Sequence, residues 1–156
     1  MSQTTKPPQS GFTLIELLIV VAIIGLLSAI AIPQLIHAMQ RGRQTRSMAD
    51  LHTLAQGCEI YQNDAGFYPR LVSATSAELE PVITPHQVGR IPLYDGWQRL
   101  FLYQGDTTGQ GYTLISLGNN GSADLPYVHG PTSRFRDDIV LSGGVFLQWP
   151  EGPQNE

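Results

Sequence analysis

The chain has 156 residues, with nine Lys and Arg against thirteen Asp and Glu, for a formal net charge of −4. From residue 12 onward eight arginines face all thirteen carboxylates, a balance that excludes a basic nucleic-acid-binding body. Cys58 is the sole cysteine, which excludes an intramolecular disulfide, and the length fits one domain of ordinary size behind an anchor.

Residues 1–11 form a polar, Pro-containing leader whose one charged side chain is Lys6. An apolar run then extends from Phe12 to Ile32 and stops at Pro33, and Glu16 is its only charged residue. At about 1.5 Å rise per residue this run is long enough for a helix to cross a bilayer core. A carboxylate in such a span costs about 2.5–3.5 kcal/mol at the bilayer centre, so Glu16 is a functional candidate. An ordinary secretory signal has a shorter apolar core with its cleavage site behind it, and this run is longer than that class allows. Ala22, Gly25, Ala29 and Ala31 either let neighbouring helices approach closely or only lower the hydrophobicity. Pro33 removes a backbone donor and is expected to kink or loosen the helix.

Beyond Pro33 the helical pattern continues over residues 34–66. Met48, Leu51, Leu54, Ala55, Cys58 and Tyr61 recur at three- and four-residue steps and form an apolar stripe, with Cys58 a small buried residue on it. Arg43, Arg46 and Asp50 fall on the polar side, either solvated or in contact with another subunit. Asn63-Asp64-Ala65-Gly66 should end the helix. Residues 67–156 then read as a loop region over 68–92 with a short helix around Ala77-Glu78-Leu79, a small sheet and a tail. Strands are expected at 100–104, 112–117 and 139–147, separated by Gly105-Asp106-Thr107-Thr108-Gly109 and by a long turn-rich insertion. The fold class is α+β, one long helix packed on a small antiparallel sheet, because three strands cannot bury their faces alone.

Gly11-Phe12-Thr13-Leu14-Ile15-Glu16-Leu17-Leu18, behind a leader with one Lys, resembles the class III signal of type IV pilins and of type II secretion pseudopilins. The resemblance implies cleavage by a membrane prepilin peptidase between Gly11 and Phe12, methylation of Phe12, and pairing of Glu16 with the N-terminal amine of a neighbouring subunit. It also implies a stretch from Gly25 to Pro33 that can lose helicity on assembly. The implied location is the bacterial inner membrane, single-pass, with the C-terminal domain periplasmic. Arg41, Arg43 and Arg46 lie on that outer side, and charge alone would favour the reverse orientation.

The second half narrows the family. Residues 59–69, reading Glu-Ile-Tyr-Gln-Asn-Asp-Ala-Gly-Phe-Tyr-Pro, are similar to the helix-end signature of the major pseudopilin. Asp95-Gly96-Trp97-Gln98 resembles its Asp-Pro-Trp-Gly stretch, with Gln98 in place of Gly. Ser116-Leu117-Gly118-Asn119-Asn120-Gly121 resembles its Ser-Leu-Gly-Ala-Asp-Gly loop, with Asn120 in place of Asp, and Asp137-Asp138-Ile139 the acidic end of that loop. The tail, with Trp149-Pro150-Glu151-Gly152, runs past the usual family end.

In that family the loop binds calcium in place of a disulfide staple. The implied ligands are the Leu117 carbonyl, Asn120, Ser122, Asp137 and Asp138, with Asp124 able to add a carboxylate; calcium accepts such a mixed oxygen set. Asn120-Gly121 is equally a common solvated turn. The implied role is a structural, non-enzymatic subunit of a secretion pseudopilus, a homo-oligomeric filament that works with minor pseudopilins and an inner-membrane platform driven by a separate ATPase. A type IV pilus subunit and a non-polymerising anchored binding domain are the alternatives. Catalytic motifs are lacking. His37, His52, His86 and His129 have no metal-ligand spacing, Ser116 lacks the Gly-x-Ser-x-Gly frame, and Gly109-Gln110-Gly111 is a turn.

Overall fold

The computed structural model describes residues 11–84 and 89–155. The leader before Gly11, and His86 within the expected 68–92 loop, lie outside the described residues. The chain divides into two compact units, Met1–Ile36 and His37–Glu156.

Helix α1 (Leu14–Ala65) contains Pro33. Proline lacks the donor that continues a helix, yet the backbone stays α-helical through it. In the first unit the large apolar side chains from Phe12 to Ile36 are exposed, with Leu14 at 91%. A contiguous apolar surface of this extent is far beyond what a soluble monomer carries, so this stretch needs lipid or other protein around it. It is long and apolar enough to cross a membrane.

In the second unit the expected stripe is buried. Leu51, Leu54 and Cys58 are fully covered, Ala55 nearly so, and Met48 and Tyr61 pack partly against the same core. The helix stops where Gly66 turns left-handed at φ 83°, which a residue without Cβ adopts readily.

Strand β1 (Ala74–Thr75) leads into α2 (Ser76–Ile83), the short helix anticipated around Ala77-Glu78-Leu79. Then follow β2 (Leu102–Gly105), β3 (Tyr112–Ser116), β4 (Gly130–Arg134), β5 (Ile139–Ser142) and β6 (Val145–Asn155). They form one six-stranded sheet in the order β1-β2-β3-β5-β6-β4, antiparallel except for the β4–β6 pair. Tyr103, Leu114 and Leu141 stand opposite one another on β2, β3 and β5, and all three belong to the core shared with α1 and α2.

The sheet corrects the three-strand expectation. The stretch 139–147 is two strands, because Gly143 and Gly144, at φ 53° and 81°, make a two-residue hairpin turn inside it. The tail is not an appendage, since β6 joins the sheet beside β5 and carries β4 on its far side. Buried Gln154 ties that end to the helix, accepting from Gln44 Nε2 at 3.2 Å and donating to the carbonyls of Thr132 and Glu151.

Candidate functional site

Two regions hold the residues singled out from sequence. The first is the start of α1. Thr13 donates from its backbone N–H and its hydroxyl to Glu16 Oε2, at 2.8 and 2.7 Å, and accepts the Glu16 N–H at 3.3 Å. This Thr-x-x-Glu capping box satisfies backbone donors that a helix start leaves open. Thr75 and Glu78 use the same device at α2, where the Thr75 N–H reaches Glu78 Oε2 at 2.7 Å. Within the single chain the Glu16 carboxylate is therefore a cap, and both contacts fall on one oxygen. Phe12, the residue before Thr13, is 80% exposed. Gly25 and Pro33 both lie inside α1, and a Cβ built at Gly25 would touch nothing within 4 Å.

The second region is the loop between β3 and β5 with the turn that backs it. Asp95 is fully buried and organises that turn. Its Oδ1 accepts the N–H groups of Trp97 and Arg99 at 2.8 and 2.9 Å, and its Oδ2 accepts the Ser116 hydroxyl at 2.9 Å. The turn also grips the helix. Gly96 N–H donates to Ser47 Oγ at 2.9 Å, and Trp97 Nε1 donates to Gln40 Oε1 at 2.7 Å. A Cβ at Gly96 would lie 2.3 Å from the Arg43 carbonyl oxygen, so only glycine allows this approach. Gln98 holds φ 64°, a left-handed position where a side chain is strained.

From this turn Arg99 reaches into the loop. Its guanidinium donates to the carbonyls of Gly118 and Asn119 at 2.7 and 3.1 Å, and a Cβ on Gly121 would meet its Cζ at 2.6 Å. The far side of the loop closes on its own return. Asn119 N–H donates to the Phe135 carbonyl at 2.9 Å, while Gln148 holds Val128 N–H and the Asp138 carbonyl, each at 2.8 Å.

The residues expected as calcium ligands are brought into this loop only in part. The Leu117 carbonyl accepts the Gly121 N–H at 3.0 Å, and Asn120 Oδ1 accepts the Ser122 N–H at 3.2 Å. Asn120 Nδ2 faces Asp124 Oδ2 at 3.5 Å. Asp138 is fully buried; Oδ2 accepts the Asp124 N–H at 3.0 Å, and Oδ1 has no hydrogen-bond partner. Burial pushes the Asp138 carboxyl up to about 6, and the nearby charges of Asp124 and Asp137 add to the rise. Among the described residues no three His, Cys, Asp or Glu side chains are gathered as a metal-holding group. Asp137 is half-buried and Asp124 exposed, so these carboxylates and the open Asp138 oxygen lie along the same loop without being drawn into one cluster.

Other titratable groups read as structure. Burial, aided by the charge of Glu59, pushes the Cys58 thiol up to about 12, far from the thiolate a reactive cysteine needs. His37 and His52 are spent on ring contacts with Phe135 and Phe146, at 5.7 and 4.8 Å.

The described fold, a long apolar helix and a helix-on-sheet head, is the α+β, pilin-like arrangement expected from sequence. A family model for the prokaryotic N-terminal methylation motif matches residues 6–32, and one for type II secretion system protein G matches residues 34–125. The chain belongs to the type II secretion protein G family. The protein named type II secretion system core protein G in Pseudomonas aeruginosa is 30% identical over 122 residues, covering 72% of this chain and 85% of that one. Its namesake in Dickeya chrysanthemi is 28% identical over 123 residues, covering 79% and 78%. The Escherichia coli protein of that name is 27% identical over 137 residues, covering 86% and 92%. No solved structure matches the chain. The protein G match ends at Leu125, before β4, β5 and β6.

Sequence reasoning quoted Asp95 in a family-like stretch without giving it a role, and it passed over Arg99, Gln148 and Gln154. Asp95 carried a signal, since an Asp-Gly dipeptide marks a turn whose carboxylate bonds its own backbone. The other three are polar residues whose side chains bond partners distant in sequence, Gly118 and Asn119 for Arg99, Val128 and Asp138 for Gln148, and Gln44 and Thr132 for Gln154.

Proposed function

We infer that this chain is a structural subunit of the pseudopilus of a type II secretion system, polymerising through its N-terminal helix to drive export across the outer membrane. What carries the reading is the union of two features in one chain. A methylation-motif helix exposes its whole apolar surface, and a head of the protein G family follows it. The reading is non-enzymatic, and its chemistry is assembly. Prepilin peptidase cuts between Gly11 and Phe12, Phe12 is methylated, and the helix remains in the inner membrane with the head in the periplasm.

On assembly the apolar helices leave lipid and pack on one another. Glu16 uses Oε2 for the Thr13 cap, and in this reading its carboxylate also takes the Phe12 amine of a neighbouring subunit. An unpaired carboxylate inside a low-dielectric helix bundle is costly, so a subunit seated in register is favoured over one that is not. Minor pseudopilins and an inner-membrane platform with its own ATPase are the further partners of this reading.

Deletion of the gene in the source bacterium tests it, with exported proteins in the medium and surface filaments scored together. Loss of secretion with surface filaments intact is expected. Loss of surface filaments with secretion intact would overturn the reading in favour of a type IV pilus subunit.

A further inference from the structure

We propose that Arg99 is the resident cation of the 117–122 loop, and that this loop closes on its guanidinium rather than on a divalent ion. The guanidinium spans two consecutive carbonyls, those of Gly118 and Asn119, and Gly121 lies directly against it. A planar group with five donors suits carbonyls presented from one turn, and its charge strengthens each bond. The left-handed glycines 118 and 121, at φ 56° and 69°, let the backbone wrap this closely.

Arg99 does not arrive there by chance of rotamer alone. Its own N–H is fixed on Asp95, whose second oxygen holds Ser116, the residue immediately before the loop. Through Gly96 and Ser47 the same turn is fastened to α1. The cation is therefore positioned from the helix and from Ser116, and it is delivered to one face of the turn.

The neutral donors assigned to calcium by resemblance, the Leu117 carbonyl and the Asn120 side chain, lie on this same turn and already accept backbone N–H groups. A divalent ion seated among them would meet the guanidinium as a like charge. Asn120 in place of Asp fits the same logic, because a loop that holds one positive charge internally needs fewer carboxylates. This inference concerns the loop of the head and is independent of which filament the chain builds.

The test uses the full chain in detergent micelles. Thermal melting with calcium and with chelator is combined with amide exchange at Asn119 and Gly121, whose N–H groups are bonded across the loop and within it. The native chain should melt at one temperature in both conditions. R99Q should exchange those two amides about tenfold faster or more, as expected for loss of a charged hydrogen-bond donor, and calcium should not restore them. R99K, which keeps the charge but not the fork, should fall between; it also serves if R99Q does not fold. A native Tm that drops in chelator and returns with calcium would overturn the proposal. So would loop amides in both variants as protected as in the native chain.

Discussion

The two ends of α1 meet different solvents with the same backbone. From Leu14 to Ile36 nearly every side chain is apolar and exposed, whereas from Gln44 to Cys58 the apolar residues are confined to one stripe and buried against the chain's own sheet. The second stretch completes its packing inside one molecule. The first cannot, and its burial must come from lipid before assembly and from other subunits after it. Folding and polymerisation are thus assigned to separate segments, and substitutions should sort accordingly.

The largest effect on the head alone should come from Gly96→Val. Its Cβ would press into the Arg43 carbonyl, 2.3 Å away by the glycine geometry, and push the 95–99 turn off the helix. A loss of about 3 kcal/mol is expected, visible as a lower melting temperature with membrane insertion unchanged. Failure of insertion instead would break the separation of the two segments.

Asp138→Asn sharpens the picture of the loop through pH. The folded carboxyl is raised to about 6 by burial, above its ordinary value of 3.8. Its contribution therefore favours the folded state below that ordinary value and is lost as pH rises through about 6. At pH 7.5 the buried charge opposes folding, so Asn should stabilise the head by about 2 kcal/mol there, and by almost nothing near pH 4. Melting curves at the two pH values check this. Destabilisation at neutral pH would mean that the charge is compensated by a bound cation.

Gln98→Gly should stabilise by about 1 kcal/mol, because the left-handed φ of 64° suits a residue without Cβ. Arg46→Ala should change stability by at most about 0.5 kcal/mol. Its pair with Asp50, at 3.4 Å, is an i,i+4 contact on the helix with a largely exposed arginine. Denaturant melts of both variants place them on the same scale as Gly96→Val.

Much of this architecture was legible in residue order. The apolar run, its lone Glu16 and the Gly11-Phe12 junction marked the anchor, and the spacing from Met48 to Tyr61 marked the buried face of the helix. Gly66 ended it for the reason glycine usually does. The second half of the sheet was not legible. Gly130–Arg134 has no alternation, and β6 contains Pro150 and Pro153, which argue against a strand. Its prolines are tolerated because pairing with β5 involves Val145, Phe146 and Gln148, and the chain beyond is held by the parallel partner β4. The loop was legible by resemblance in its glycines and aspartates but not in Arg99. An arginine two residues after Trp97 reads as a solvated charge until the fold sets it against Gly118 and Asn119.

The most direct test of the assembly account is electron microscopy of filaments after co-expression with prepilin peptidase and platform, comparing the native chain with Glu16→Ala. The account predicts filaments from the native chain. From the variant it predicts an inserted, cleaved subunit with an unchanged head but no ordered filament. Filaments at normal yield from Glu16→Ala, or none from the native chain under the same conditions, would contradict it.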